Sequence, residues 1–239
     1  MEERIWDYTK ISTFQSCPKK YQFRMLKHLV PLTTAPALEF GKAIHSALEH
    51  FYINLQEGKS REDALMVAIR VFSESYKDRL DDDRRTNANA EKLLRGYEEV
   101  FRSEPFKVLQ QEVGFAVPVE YKDKLGVVKS FILCGRLDAL VEWSGVLYVL
   151  EHKTTSVLGP QYFRAFEMSS QIDGYIYAAG MSTGRQCLGA VINAMEVWKD
   201  VKKETAKTKK LEDHYARDPQ TRTEFEISEY KKDMGLWVE

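Results

Sequence analysis

The stretch that most constrains this chain runs from Gly135 to Thr155, GRLDALVEWSGVLYVLEHKTT. Two apolar runs flank Ser144-Gly145, and a two-residue loop with glycine second suits a tight antiparallel hairpin. With those two residues as the loop, Trp143 pairs with Val146. Counting away from the turn, Asp138 falls opposite Glu151 and Arg136 opposite Lys153. Opposed side chains share a sheet face with Cβ atoms roughly 4.5–5.5 Å apart. Residues two apart on one strand share a face as well. The register therefore predicts that Asp138, Glu151 and Lys153 converge.

Like charges directly opposed in a hairpin are destabilising. Leu137, Ala139, Val149 and Leu150 around them predict a buried setting, where an uncompensated carboxylate costs still more. A hard divalent cation offsets such a pair, and Mg²⁺ binds through one or two carboxylates together with water and substrate phosphate. Lys153 adds a charge able to orient water or to stabilise charge developing on phosphorus. The competing reading is structural: Arg136 and Lys153 form ordinary cross-strand ion pairs with the two acids.

The rest of the 239 residues reads as helices, then strands, then a mixture. Ser12 is a candidate cap for a helix over Thr13–Lys27 that Pro18 breaks or kinks. Apolar residues recur at helical spacing over Phe40–Gln56 and Ser60–Lys77, and Ala88–Arg102 reads as another helix. Asp81 to Arg85 form a polar connector. Val108–Val119, Ser130–Trp143, Val146–Lys153 and Leu188–Val197 carry the enrichment of strands, with a helix over Gln161–Gly180 before the last. Beyond His214 come a polar loop and a weakly alternating Thr223–Ile227 segment. The expected class is mixed α/β (α+β) in one domain over 1–239. Its parts are a mainly helical region over 1–105, a catalytic sheet core over 106–198, and a basic segment with a tail over 199–239.

Four motifs, in order, resemble the PD-(D/E)XK nuclease superfamily and its RecB-like branch. GRLD followed by LEHKT resembles the superfamily's acid, hairpin and (D/E)-x-K signature. Ser12–Leu26, STFQSCPKKYQFRML, resembles the branch's opening motif, which holds a serine, an early cysteine and an aromatic. Phe40–His45, FGKAIH, resembles its G-x-x-x-H motif, and Gln171–Tyr175, QIDGY, its Q-x-x-x-Y motif. The branch takes in the RecB and AddB nuclease domains, the CRISPR adaptation nuclease and many phage exonucleases.

The resemblance implies a restriction-endonuclease-like core, a central mixed sheet flanked by helices, with a helical N-terminal region. It implies a Mg²⁺- or Mn²⁺-dependent DNase that leaves a 5′-phosphate, an exonuclease by family habit, serving recombination, repair or phage DNA metabolism. Its implied metal ligands are Asp138, Glu151, His45 and the backbone carbonyl of His152. Lys153 is the implied catalytic lysine, and Gln171 and Tyr175 border the DNA path. Read alone, His45 at the edge of its apolar stripe suits a packed core histidine, although Gly41 one turn earlier leaves room for an ion. Gln171 and Tyr175 share a helix face at i, i+4 and suit a local contact equally well. Glu112 reads as an outer acid of the site or as an exposed strand glutamate. Cluster-bearing relatives add three late cysteines to the early one, whereas here only Cys187 follows Tyr175. No iron–sulfur cluster is expected, and Cys17 reads as a small buried residue.

Net charge needs the same care. Thirty-five Lys plus Arg against 36 Asp plus Glu leave −1, a balance that alone argues against a nucleic-acid partner. Its distribution argues otherwise. Tyr8 to Leu38 holds Lys10, Lys19, Lys20, Arg24 and Lys27 and no acid, interleaved with Tyr8, Phe14, Tyr21 and Phe23. Lys199 to Lys210 holds six lysines. Charge runs are commonly solvated faces, but cations beside aromatics suit single strands. Lys19, Lys20, Tyr21 and Arg24 are therefore candidate DNA contacts, with single-stranded DNA or DNA ends as expected substrate. No run of ~18 apolar residues predicts a membrane span, and the N-terminus lacks the pattern of a secretory signal. Three scattered cysteines argue against a disulfide framework. The expected setting is the cytoplasm of a prokaryote or a phage-infected host, compatible with a recombination or helicase partner. A non-catalytic DNA-binding or assembly module and an RNase stay open as alternatives, and oligomeric state is unset.

Overall fold

The computed structural model describes residues 5–77, 82–199 and 209–238. Strand β1 (Ile5–Trp6) and helices α1 (Tyr8–Ser16), α2 (Pro18–Tyr21), α3 (Pro36–Gln56), α4 (Arg61–Ser75) and α5 (Asn87–Val100) precede three longer strands. Those are β2 (Lys107–Lys122), β3 (Val128–Trp143) and β4 (Val146–Thr155). Helices α6 (Pro160–Arg164) and α7 (Ser170–Thr183), strands β5 (Cys187–Glu196) and β6 (Tyr215–Thr221), and helix α8 (Glu224–Val238) complete the order. Asp81 of the polar connector and 200–208 of the lysine run lie outside the described residues. Among those described, no helix is long and apolar enough to cross a membrane.

Local chemistry explains where the observed elements depart from expectation. Asp7, not Ser12, caps α1, its carboxylate accepting the Lys10 N–H at 2.8 Å. Pro18 breaks the helix expected over Thr13–Lys27 rather than kinking it. Cys17 takes extended backbone and Pro18 opens α2 at the position where its missing N–H costs nothing. Cys17 is exposed rather than buried, because its sulfur accepts the Lys20 N–H as the α2 cap. The helix expected over Gln161–Gly180 is two helices, broken over 165–169. Thr223–Ile227 is not strand-like but leads into α8, which buries Tyr230, Met234 and Val238. In place of a polar loop after His214 stands β6, an edge strand.

Among the described residues the strands form one six-stranded mixed sheet. β3 is its spine. β2 runs antiparallel along one edge of β3, while the other edge is shared by β4, antiparallel, and β1, parallel at Ile132 and Leu133. β5 adds parallel to β4, and β6 antiparallel to β5. The β3–β4 turn is the two-residue loop read from sequence. Ser144 and Gly145 both take positive φ, 51° and 81°, the combination whose twist matches a hairpin. Pairing runs from Trp143–Val146 to Ala139–Leu150 in the expected register.

Helices cover both faces. Ile11 of α1, Ile172 and Ile176 of α7, and Tyr230 and Met234 of α8 pack on Leu133, Leu137, Val149 and Ile192. On the opposite side α3, α4 and α5 bury Phe40, Ile44, Phe51, Phe72 and Leu94 together with Met195 and Tyr215. A smaller cluster of Phe106, Ala139, Val141, Leu150 and Val191 supplements the core. Each large apolar side chain so buried stabilises by roughly 1.5–3 kcal/mol. A central mixed sheet between helices is the expected architecture, and it leaves the far end of β4 pinned between two helical layers.

Candidate active site

Asp138 and Glu151 stand one step beyond the last β3–β4 pair. They are not ladder partners. Past Ala139, β3 gives up β4 and turns to β1 as its neighbour on that edge, so the two hairpin strands part. Asp138 fills the opening. Its Oδ2 accepts the backbone N–H of His152 at 2.8 Å, replacing a ladder bond with a side-chain bond. Its Oδ1 lies 3.1 Å from Nδ1 of His45, brought in by α3. Nor does Arg136 oppose Lys153. Its guanidinium pairs with Glu112 of β2 at 2.7 Å.

Glu151 is 3% exposed. Its Oε1 accepts from Lys153 Nζ at 2.5 Å, but its Oε2 is buried with no hydrogen-bond partner among the described residues. Burial and then the charge of Asp138 push its pKa up to about 7, against the pull of Lys153. Asp138 moves the other way. Burial opposes its ionisation, yet the hydrogen bond and charge of His45, helped by His152, hold it down at about 2. Neighbouring carboxyls thus titrate far apart, a pattern of functional sites. Burial works against charging His45, and the contact with Asp138 overcomes it, so its pKa rises. Lys153 shows the same balance, burial against Glu151, with a net rise.

Helix α7 closes the group. Gln171 Oε1 lies 3.4 Å from Lys153 Nζ, and Gln171 Nε2 donates to the Tyr175 hydroxyl at 3.1 Å. Burial, then Glu151, lifts the Tyr175 pKa well above the usual tyrosine value. Glu112 is not an exposed strand glutamate. It is partly buried beside Arg136, at positive φ of 45°, and burial, then the charges of Asp138 and Glu49, raise its pKa against Arg136. Sequence reasoning passed over Tyr162 of α6, whose hydroxyl feels burial first and then the charge of Lys153. Its signal was only an aromatic shortly after the E-x-K strand.

The structure brings together His45, Asp138, Glu151, Lys153, Gln171 and Tyr175. The N-terminal candidates keep to their own segment. Lys19, Lys20 and Arg24 are exposed on α2 and the turn that follows, and Lys19 lies over the Phe23 ring at 5.0 Å. Tyr21 is half-buried, stacked on Trp6 at 6.4 Å and edge-on to Phe14.

Whether a divalent ion suits this site turns on its donors. Among the described residues no three His, Cys, Asp or Glu side chains form a ready-made cation cage. Nδ1 of His45 and the Lys153 ammonium instead sit against the carboxylates. The donors fit all the same. They are hard oxygens plus one imidazole, and Glu151 Oε2 is a buried acceptor with no hydrogen-bond partner among the described residues.

Behind β4, His152 points to the opposite face, where its Nδ1 takes a hydrogen bond from Asn193 Nδ2 at 2.6 Å. Asn193 leads on to Tyr97, Tyr52, Glu104 and Arg217. Nothing in the motifs marks this network. Its sequence signal is a lone asparagine inside the apolar run Leu188–Val197.

The family model of the PD-(D/E)XK nuclease superfamily matches residues 6–233. The crystal structure of SSO0001 matches at 16% identity over 96% of this chain and 88% of that one, with a TM-score of 0.36. That likeness is too loose to bear on the site. No curated protein matches. The family match, in contrast, takes in residues of every strand and all four motifs. The chain belongs to the PD-(D/E)XK nuclease superfamily, whose members are hydrolases that act on DNA and typically use divalent metals.

Proposed function

We propose that the chain is a Mg²⁺- or Mn²⁺-dependent DNA nuclease of the RecB-like type, an exonuclease acting on single-stranded DNA or DNA ends. The observation that carries this reading is Glu151, buried beside ionised Asp138 with one oxygen unpartnered and a pKa near 7. Lys153 compensates only one of its oxygens, and the second can take a cation from outside. Asp138, Glu151, His45 and the carbonyl of His152 would hold it. A divalent ion, when bound, neutralises charge on the phosphate oxygens and lowers the pKa of a coordinated water.

Lys153, gripped by Glu151 and Gln171, is placed to orient the attacking water or to donate to a phosphate oxygen as charge develops there. Gln171 and Tyr175 border the strand, while Lys19, Lys20, Tyr21 and Arg24 track its backbone. The cation-rich N-terminal segment favours single strands, and that contact should weaken steeply with salt.

Time-resolved digestion of end-labelled single- and double-stranded DNA and of RNA, with Mg²⁺, Mn²⁺ or EDTA, tests this. Expected is progressive shortening of single-stranded DNA from an end, abolished by EDTA. Cleavage indifferent to EDTA, or full activity in Glu151→Ala, overturns the nuclease site. Internal cuts overturn the exonuclease assignment, and a preference for RNA overturns the substrate.

A further inference from the structure

A cavity of about 180 Å³ opens beside the acid cluster, between the start of α1, β2, β3, α7 and α8. We propose that it receives the base of one unpaired nucleotide, with room for a pyrimidine ring, next to the phosphate being cut. The inference rests on the nuclease reading and adds to it the part of the substrate that lies beyond the phosphate.

Position comes first. Gln171 and Tyr175 line the cavity, and the same Gln171 carries its amide oxygen to Lys153. Arg136, two residues from Asp138 along β3, lines it too. A nucleotide with its phosphate at Lys153 therefore has this cavity beside it.

Size and lining select the ligand. A cavity of roughly 150 Å³ holds one benzene-sized ring, so 180 Å³ admits a six-membered base but crowds a purine. Tyr8, Phe115 and Tyr175 supply rings, with Phe115 and Tyr175 edge to face at 6.1 Å. Bases stack on such side chains whatever their sequence. The Gln171 amide, held between Lys153 and the Tyr175 hydroxyl, gives the cavity a polar wall that a base edge can compete for, which suits a base better than an aliphatic ligand. Walls from five elements exclude a base still paired in a duplex, so the strand must be single or frayed at this point.

Fluorescence anisotropy of the full chain in EDTA, with single strands carrying thymidine, adenosine or an abasic residue at each position near one end, tests the inference without needing cleavage. Expected is one position where the abasic residue weakens binding at least about fivefold, the low end of a lost base stack, with adenosine weaker than thymidine. Equal binding of abasic and normal strands at every position overturns the inference, and that comparison needs no variant. Base-dependent binding without metal-dependent cleavage would sink the nuclease reading alone, and cleavage without base-dependent binding would sink this inference alone.

Discussion

Two polar clusters lie back to back on β4, one residue apart. Toward α7, Glu151 and Lys153 meet Asp138, His45 and Gln171. Toward α3 and α5, His152 meets Asn193, whose carbonyl accepts Arg217 Nε at 3.0 Å. Arg217 also donates to Glu104 at 2.5 Å and to the Tyr97 hydroxyl at 3.0 Å, between the Phe101 and Phe106 rings. Tyr97 and Tyr52 share a hydrogen bond of 2.6 Å, and Tyr52 donates to Glu104 at 2.8 Å. The rear cluster balances one cation against one anion, and burial keeps His152 neutral, its pKa pushed down to about 3. The front cluster leaves a carboxylate oxygen orphaned and an acid half-titrated at neutral pH. The rear network is not fully satisfied either, since His152 Nε2 is buried without a hydrogen-bond partner among the described residues, but its charges balance. The front cluster differs in leaving an ionisable oxygen unpartnered, where a cation can bind.

The contrast breaks most sharply in activity. Lys153→Ala, Asp138→Ala and Glu151→Ala should each cut metal-dependent cleavage by about 10²–10³-fold or more, with circular dichroism unchanged. If a front substitution unfolds the chain instead, the front cluster is structural and the distinction fails.

Arg217→Ala should do the reverse. It strands Glu104 in a buried setting, with side-chain exposures of 9% and 14% for the pair. Removing one partner of a buried pair destabilises by roughly 3–5 kcal/mol. Denaturant unfolding measures it, and a loss within error would show that the rear network holds nothing in place.

The pH dependence of stability should then separate the two front acids by sign. Glu151 titrates near 4.5 when unfolded and near 7 when folded. Between those values the folded chain holds a proton that the unfolded chain has released, so stability falls as pH rises from about 5 to 7. Asp138, folded near 2 against 3.8 unfolded, adds stability above about 4 that is lost only as pH drops toward 2. Melting of the metal-free protein should therefore decline from pH 5 to 8, and Glu151→Gln should flatten the decline. Excess Mg²⁺ should counter it in wild type, because an ion needs the ionised acid. A flat wild-type profile removes the open-cluster reading.

How much of this was legible follows from where the signals sit. The hairpin declared itself because apolar runs and a Ser-Gly turn are local, and its register carried Asp138, Glu151 and Lys153 to one place. Its failure one pair further on had no local signal: the Asp138 carboxylate takes the His152 N–H there, and the strand that borders β3 further along, at Ile132 and Leu133, comes from a distant part of the chain. β6 was missed because YARDPQT has no apolar alternation. Its Arg217 is buried by pairing with Glu104 across 113 residues, which no window reveals. Cys17 looked like a core residue by type, and a backbone N–H claimed it as a cap.

The turn supplies the smallest effect and a control for both faces. Ser144 holds a positive φ of 51° ahead of Gly145, a conformation that asparagine tolerates better than serine. Ser144→Asn should add about 0.5–1 kcal/mol to unfolding free energy by relieving that strain. It touches neither cluster, and the pairing from Trp143–Val146 to Ala139–Leu150 that it reinforces sets which residues of β4 face front and rear. Cleavage rate and the slope of stability with pH should both stay at wild-type values. A gain in stability accompanied by a changed pH slope would mean that the hairpin register, and not the charge on Glu151, controls the front cluster.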